Sequence, residues 1–396
     1  MSDIEKQPPL KGLKVVELAR VLAGPWIGQT LADLGADVIK VESPSGDETR
    51  HWGPPFVQID EDRSGAYFHS CNRGKRSVIA DFSTDEGRET VRRLAADADV
   101  LIENFKVGGL VKFGLDYDSL SKVNQRLVYC SVTGFGQTGP YAPRAGYDFI
   151  IQAMSGFMEL TGEPEGEPQK GGVAVSDLFT GLYGVIAVQS ALLQRERTGR
   201  GQHVDLALFD CMTAVLSNPA ASYFTTGRMP KRYGNAHAII VPYQTFEAQD
   251  GLMVLAVGNN GQFARACKVL GTEEWVSDPR FATNEARVEN REILVSTLEP
   301  VIARWKRAEL LGALETAGVP AGPVNTIAEA FADPQFIARG MRVDLDGIGG
   351  IRTPIVFSQG QLALDRRPPR LGEHTQAVLG ELSSKSGRQW ISVQQD

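Results

Sequence analysis

Runs of apolar residues of strand length alternate with stretches of helical period from the beginning of the chain. Residues 13–18 (LKVVEL) predict a buried strand, and residues 25–35 (PWIGQTLADLG) predict a helix with Pro25 in its first turn and Gly35 at its end. The segment ADVIKVE supplies the next strand, which completes a βαβ unit. Because such crossovers are right-handed, a parallel sheet with helices on both faces is the simplest architecture. The alternation continues through a strand at 77–82, a helix at 84–98 opened by Thr84, and a strand at 99–105. A further strand within 126–136 runs into the glycine-rich loop GFGQTGP. Residues 177–199 predict a long apolar helix, basic near its C-terminus and stopped by Gly199 and Gly201 before the strand QHVDLAL. Residues 211–245 show no regular period, and the strand at 252–257 with the helices up to about 330 then predicts a smaller second unit. The tail from about 340 returns to short strands and one helix, and is expected to rejoin the first unit.

The chain has 396 residues, 42% hydrophobic and 22% charged, which is the composition of a globular protein of two-domain length. A net charge of −7 supplies no general basic field, so partners such as nucleic acid or an anionic membrane are not expected, and any anionic ligand needs local cations. Cys71, Cys130, Cys211 and Cys267 lie far apart with no paired spacing, which excludes the usual zinc, iron–sulfur and disulfide patterns. The N-terminal MSDIEKQPPLKG lacks a basic and then apolar leader, and no run of 18 apolar residues occurs, so a cytoplasmic location is expected. A nicotinamide-binding reading of the first βαβ unit fails on its glycines. The turn after the first strand reads ARVLAGPW, not G-x-G-x-x-G, and Glu42 is read as a solvated acid at a strand end. The loop GNNGQF (258–263) reads as a tight turn with asparagine caps.

Seven segments carry a more specific signal: LKVVELARVLAGPWIGQTLADLGADVIKVESPSGDETR, NRGKRSV, ENF, GFGQTGPYAPRAGYD, SDLFTGLYG, TGRGQHVD and LGEHT. In order and spacing, over nearly the whole chain, they resemble the family III CoA-transferases, the formyl-CoA transferase and carnitine dehydratase-like group. The resemblance implies an α/β fold with a large Rossmann-like, CoA-binding domain at 1–205, rejoined by about 340–396. It further implies a linker at 206–230, a small domain at 231–330, a return linker at 331–345, and an interlocked homodimer.

The family's nucleophile falls on Asp177 of SDLFTG. Ser176 is expected to cap the helix, whose N-terminal dipole favours the ionised carboxylate, and a carboxylate needs no general base to attack a thioester. The implied contacts to coenzyme A are Val21 and Leu22; Arg73, Lys75, Arg76 and Ala80, continuing into Asp81; Asn104, Phe105, Lys106 and Lys112; and Arg144, Ala145 and Tyr147. Cations suit the phosphates of CoA, and an apolar slot suits its adenine. The family's substrate loop falls on YGNAHAII, with Gly234, Asn235 and His237. Where some members have four glycines this chain has AHAI, which points away from oxalate and formate and toward succinyl-CoA-dependent dicarboxylate transferases. His237 is then expected to hold the acceptor's second carboxylate. No metal and no tightly bound cofactor is implied, since CoA and acyl-CoA are substrates alongside the carboxylic acid. The alternatives are an α-methylacyl-CoA racemase, whose relatives carry histidine where Tyr147 stands, and a CoA-binding protein without catalysis. No aromatic cage for a carnitine-like cation is evident.

Overall fold

The computed structural model describes residues 7–385, and the chain divides into two compact units. One comprises Met1–Phe157, Gly171–Ala220 and Ile337–Asp396; the other comprises Met158–Lys170 and Ala221–Phe336.

The first unit is built on six parallel strands, β1 (Lys14–Glu17), β2 (Asp37–Glu42), β3 (Arg76–Ile79), β4 (Val100–Glu103), β5 (Val128–Thr133) and β6 (His203–Ala207). Their order across the sheet is β3-β2-β1-β4-β5-β6, and the register pairs Val15 with Val38 on one side and with Val100 on the other. The direction of winding therefore reverses between β1 and β4, which opens a crevice at their C-terminal ends. Alternate residues of one strand serve opposite faces of the sheet. Val15 packs with Ile27, Leu31, Val188 and Met212, whereas Val16 packs with Val91, Leu94, Leu120 and Val378. Burial on both faces explains why these strands read as nearly continuous apolar runs.

The helices of this unit are α1 (Ala23–Asp33), α2 (Asp85–Ala96), α3 (Tyr117–Val123), α4 (Asp148–Met154), α5 (Val175–Thr198) and α6 (Leu208–Ala214), and α7 (Ser217–Thr226) leads out of it. Thr84 caps α2 by accepting the Gly87 amide at 3.0 Å. The 24-residue α5 ends on Gly199, whose φ of +72° gives the left-handed cap predicted there. An apolar stretch within α5 has mean hydropathy 1.3, enough by length and composition to cross a membrane, so the absence of an 18-residue apolar run understated it. Two of its glycines let α1 approach closely. A Cβ built on Gly184 would lie 2.3 Å from Ile27 Cδ1, and one on Gly181 would lie 2.8 Å from Trp26 Cδ1. This close crossing sets where the first turn of α5 stands.

Residues 211–245 were expected to be irregular, yet they contain most of α6 and all of α7. The physical reason is that α7 has no buried residue, so no apolar stripe advertises its period. The second unit is a three-stranded sheet of β7 (Tyr243–Ala248), β8 (Gly251–Ala256) and β9 (Ala321–Pro323), accompanied by α8 (Asn260–Leu270), α9 (Asn284–Glu289), α10 (Arg291–Ile302) and α11 (Arg307–Thr316). Phe246, Met253, Phe263, Leu294 and Leu310 lie in its core. Asn259 caps α8 by accepting the Gln262 amide at 2.9 Å, as the turn reading of GNNGQF predicts. The tail adds a hairpin, β10 (Arg342–Leu345) with β11 (Ile348–Ile351), and α12 (Thr375–Lys385), whose Val378 and Leu382 join the core of the first unit.

Candidate active site

At the crevice between β1 and β4 lies a cleft, open to solvent and formed wholly within the first unit. Three loops make its walls: the one after β1 with Arg20, Val21 and Leu22, the one after β4 with Asn104, Phe105 and Lys106, and the one from Ala142 to Asp148. The last loop crosses the end of β5 at glycine on glycine. A Cβ on Gly134 would come within 2.5 Å of Gly146 Cα, so only two glycines permit the crossing that brings Tyr147 and Asp148 to the cleft.

Asp177, the third residue of α5, stands on the cleft wall. Among the described residues nothing donates a hydrogen bond to its carboxyl group. Burial, and after it the charge of Asp148, push the Asp177 carboxyl up to about 7. Asp148 begins α4, and its Oδ1 accepts from the Ser176 amide at 2.9 Å and from the Ser176 hydroxyl at 2.6 Å, while Oδ2 accepts from Gln152 Nε2 at 2.7 Å. Ser176 therefore does not cap its own helix as expected. The helix starts two residues earlier than predicted, at Val175, and a carboxylate from α4 satisfies the amide instead. Tyr67 also faces this region; burial, followed by the charge of Asp177, raises its phenol above the ordinary value. Its ring meets Trp52 edge-on at 5.3 Å.

Under the loop after β1 lies a buried cluster of three carboxylates and three cations. Lys40 Nζ bonds Glu17 Oε1 at 3.1 Å, Asp47 Oδ2 at 3.0 Å and the Ala19 carbonyl at 2.7 Å. Lys75 Nζ bonds Glu17 at 2.8 Å, the Pro25 carbonyl at 2.9 Å and Asn72 Oδ1 at 2.8 Å. Arg50 makes a bidentate pair with Glu42 at 2.7 and 2.8 Å. Glu42 is thus sealed and paired, not the solvated acid expected from its place at a strand end. Asp47 also accepts the Val21 amide at 3.3 Å, and Val21 is held at φ +69°, a left-handed conformation that costs a branched side chain about 1 kcal/mol or more. The cluster holds this strained loop in place.

The structure gathers Val21, Leu22, Asn104, Phe105, Lys106, Arg144, Ala145, Tyr147 and Asp177 around one cleft. It places the NRGKR cations elsewhere, which corrects the expectation that they meet phosphate. Arg73 is buried against Asp33 at 2.6 and 3.1 Å, and Lys75 lies in the cluster just described. Arg76 bonds Asp37 at 2.6 and 2.9 Å and Glu381 at 2.7 Å. None of the three lines the cleft, because a helix (Asp33) and two strands (Glu17, Asp37) supply each with an acid. Ala80 is buried at the end of β3, in the core next to Phe82. Phe82 stands 6.2 Å from Phe105 and 6.1 Å from Phe113, and exposed Lys112 lies 4.7 Å over the Phe113 ring. An aromatic shelf with a cation at its end thus continues outward from the Phe105 wall. The Asn104 amide is engaged with the Arg20 backbone, donating at 2.7 Å and accepting at 2.9 Å.

Sequence reasoning missed Arg20, Glu48 and Asp148 as lining residues. Arg20 lies 5.1 Å over the Phe105 ring and 3.1 Å from Glu48. Its position just after β1, where doubly wound sheets place their ligand loops, was the available signal.

Gly234, Asn235 and His237 belong to the second unit. Gly234 has φ +57°, and half-buried His237 donates its amide to the Tyr243 carbonyl at 2.9 Å while its ring lies 5.2 Å from that of Tyr243. The segment beyond is gripped along its backbone. Arg291 bonds the Ala238 carbonyl at 2.8 Å, Asn284 the Ile239 carbonyl at 2.9 Å, and buried Arg287 the Val241 carbonyl at 2.7 Å.

All four cysteines are free and buried, and no group of three or more His, Cys, Asp or Glu side chains among the described residues is arranged to hold a metal ion. The model of CoA-transferase family III matches residues 10–375. The chain is 55% identical to a succinate–glutarate CoA-transferase of Agrobacterium fabrum, covering 97% of this chain and 98% of that one. It is 41% identical to the succinyl-CoA:glutarate CoA-transferase of Homo sapiens, covering 96% of this chain and 87% of that one. A solved CAIB/BAIF family protein from Brucella suis superposes with a TM-score of 0.89 at 63% identity, over 95% of this chain and all of the other. With its six-stranded parallel sheet and its nearly full-length match, the chain belongs to CoA-transferase family III and is an enzyme of the CoA-transferase type.

Proposed function

We propose that this enzyme moves CoA from succinyl-CoA to a dicarboxylic acid of the glutarate class, with Asp177 as the nucleophile. The observation that carries the reading is Asp177 itself, a half-buried carboxyl group without a hydrogen-bond donor among the described residues, set in the first turn of α5 on the cleft wall. The names of the relatives supply the substrate class. With its carboxyl group titrating near 7, a substantial share is ionised at neutral pH, and that share needs no base to react.

Asp177 attacks the thioester carbonyl carbon, the C–S bond breaks, and CoA leaves as thiolate from a mixed anhydride. The thiolate then attacks the aspartyl carbonyl, which releases succinate and leaves an aspartyl-CoA thioester. The acceptor carboxylate attacks that carbonyl in turn, and the liberated thiolate takes the new acyl group from the second anhydride. Asp177 is regenerated. Both intermediates are hydrolysable, which accounts for a nucleophile drawn back from bulk water.

In this reading Arg20, Lys106, Lys112 and Arg144 meet the phosphates of CoA, and Phe82, Phe105 and Phe113 meet its adenine. His237 meets the acceptor. A second copy of the chain covers α5, where Phe179, Leu182, Tyr183 and Ile186 are 37%, 48%, 40% and 58% exposed at helical spacing. The proposed location is the cytoplasm, where the four thiols stay reduced.

The test is mass spectrometry of the enzyme with succinyl-CoA and a panel of mono- and dicarboxylic acids. Expected are glutaryl-CoA or a homologue, and, without acceptor, a CoA adduct on the peptide that carries Asp177. Racemisation of a 2-methylacyl-CoA without transfer would move Asp177 to acid–base work. Full activity in Asp177→Ala would remove it as the nucleophile.

A further inference from the structure

The loop that carries Asn104, Phe105 and Lys106 has a second opening behind it, beside the C-terminal end of β4, Tyr129 and Ser131 of β5 and the first residue of β6, and Lys106 borders both spaces. Glu103, the last residue of β4, is only 5% exposed. Its Oε2 accepts the Phe105 amide at 2.7 Å, so its side chain folds the backbone of the cleft loop directly. Ser131 of β5 stands opposite Glu103 in the sheet register and its hydroxyl acts on the Glu103 carboxyl group, while Ser131 Oγ lies 2.8 Å from Nε2 of His203 on β6. The His203 ring is stacked on Tyr117 with centroids 5.2 Å apart. One residue after Glu103, Asn104 clasps the Arg20 backbone, so a displacement at Phe105 is passed on to the loop after β1.

We propose that Glu103 is a positioning residue for coenzyme A, its carboxylate, supported through Ser131 by His203, fixing the Phe105 backbone and with it the cleft wall from Asn104 to Lys106. The inference rests on the reading of the cleft as the CoA site.

Ser131 has a single hydroxyl proton, which gives the chain of three side chains two directions. With Glu103 ionised, His203 donates to Ser131 and Ser131 donates to Glu103, and the Phe105 amide meets a charged acceptor. With Glu103 protonated, the carboxyl group donates to Ser131 and Ser131 donates to His203. The Phe105 amide then meets a neutral oxygen, and a hydrogen bond to a neutral acceptor is weaker. Burial raises Glu103 to about 7, against the Ser131 and Phe105 hydrogen bonds, so both directions are populated near neutrality. Burial also lowers His203 from its ordinary value, which keeps it neutral and able to donate or accept. The other groups around Glu103 are Lys106 on the following loop, Asp116 just before α3, Tyr117 and Asp118 from α3, and Tyr129 and Cys130 on β5, with Asp205 beside His203 on β6.

The experiment is calorimetric titration of CoA into the Asp177→Asn enzyme between pH 6 and 8.5, alone and combined with Glu103→Gln. In the parent, CoA binding tightens by about three- to tenfold as pH rises through 7, the gain of a charge-assisted over a neutral hydrogen bond. Glu103→Gln removes that rise and binds at the weaker, low-pH level throughout. The phosphates of CoA titrate equally in both proteins, so the difference between the curves belongs to Glu103. Ser131→Ala and His203→Phe, which leave the Glu103 to Phe105 bond in place, move the inflection to higher pH by withdrawing support from the carboxylate. Parallel curves for the parent and Glu103→Gln, or an unmoved inflection in both Ser131→Ala and His203→Phe, would overturn the proposal. Lys106→Ala and Arg144→Ala separate the two levels: if neither weakens CoA binding, the cleft reading itself fails, and if they do while Glu103→Gln does not, only the present inference fails.

Discussion

The raised carboxyl group of Asp177 makes the folded protein pay for its ionisation, and that cost is measurable as stability. An ordinary aspartate titrates near 4 in an unfolded chain, whereas Asp177 in the fold is raised to about 7. For a group raised on folding, the stabilising contribution is complete below the unfolded value and is lost as pH rises through the folded one. Each pH unit between the two values is worth about 1.4 kcal/mol. Between pH 5 and pH 8.5 the wild type should therefore lose about 2–3 kcal/mol on account of this residue, an upper figure because water in an open cleft relaxes the charge. Asp177→Asn keeps the shape and cannot ionise. Its advantage in unfolding free energy over the wild type should accordingly grow by up to that amount from pH 5 to pH 8.5, read by urea titration or as a melting-temperature gap that widens by a few degrees. A gap that stays constant or narrows across the range would show that Asp177 carries no burial penalty, and the argument for a poised nucleophile would lose its basis.

Three further outcomes follow from the geometry. Asp148→Asn removes the second cause of the Asp177 shift while leaving an oxygen to accept the Ser176 amide, so the rising limb of kcat against pH should move to lower pH; an unmoved limb would discount the coupling. Arg73→Ala leaves Asp33 buried without its cation and should cost about 3–5 kcal/mol, with the KM for acyl-CoA of the surviving fold unchanged; a raised KM at full stability would return Arg73 to the ligand site. Lys106→Ala should raise the KM for succinyl-CoA with little change in kcat, because phosphate binding is shared by ground and transition states; a fall in kcat alone would contradict that role.

The sheet was legible because a strand buried on both faces must be apolar at successive positions, as Val15 and Val16 are. The caps at Thr84 and Gly199 were legible because they are local. What escaped is what tertiary structure supplies. NRGKR reads as an anion site only until Asp33, Asp37 and Glu17 arrive from other elements to neutralise it. Asp148 reaches Ser176 across 28 residues, and no local pattern announces that a helix will be capped by another helix. The crossing of Gly134 and Gly146 is equally silent, since two glycines in a loop look like ordinary turns. Asp177 itself was found only through resemblance, an acid in a first turn being commonplace. Most of the lining came the same way, and the lining residues missed follow from the topology.

The balanced cluster of Glu17, Lys40, Glu42, Asp47, Arg50 and Lys75 has a consequence for how such an enzyme changes over time. Any one replacement strands a partner charge in the interior, and the loss of roughly 3–5 kcal/mol is a large part of a protein's whole stability. The six positions can drift only in concert. New acyl preferences must therefore arise at positions free to vary singly, such as the exposed loop tips, while the backbone beneath the cleft is inherited as one block.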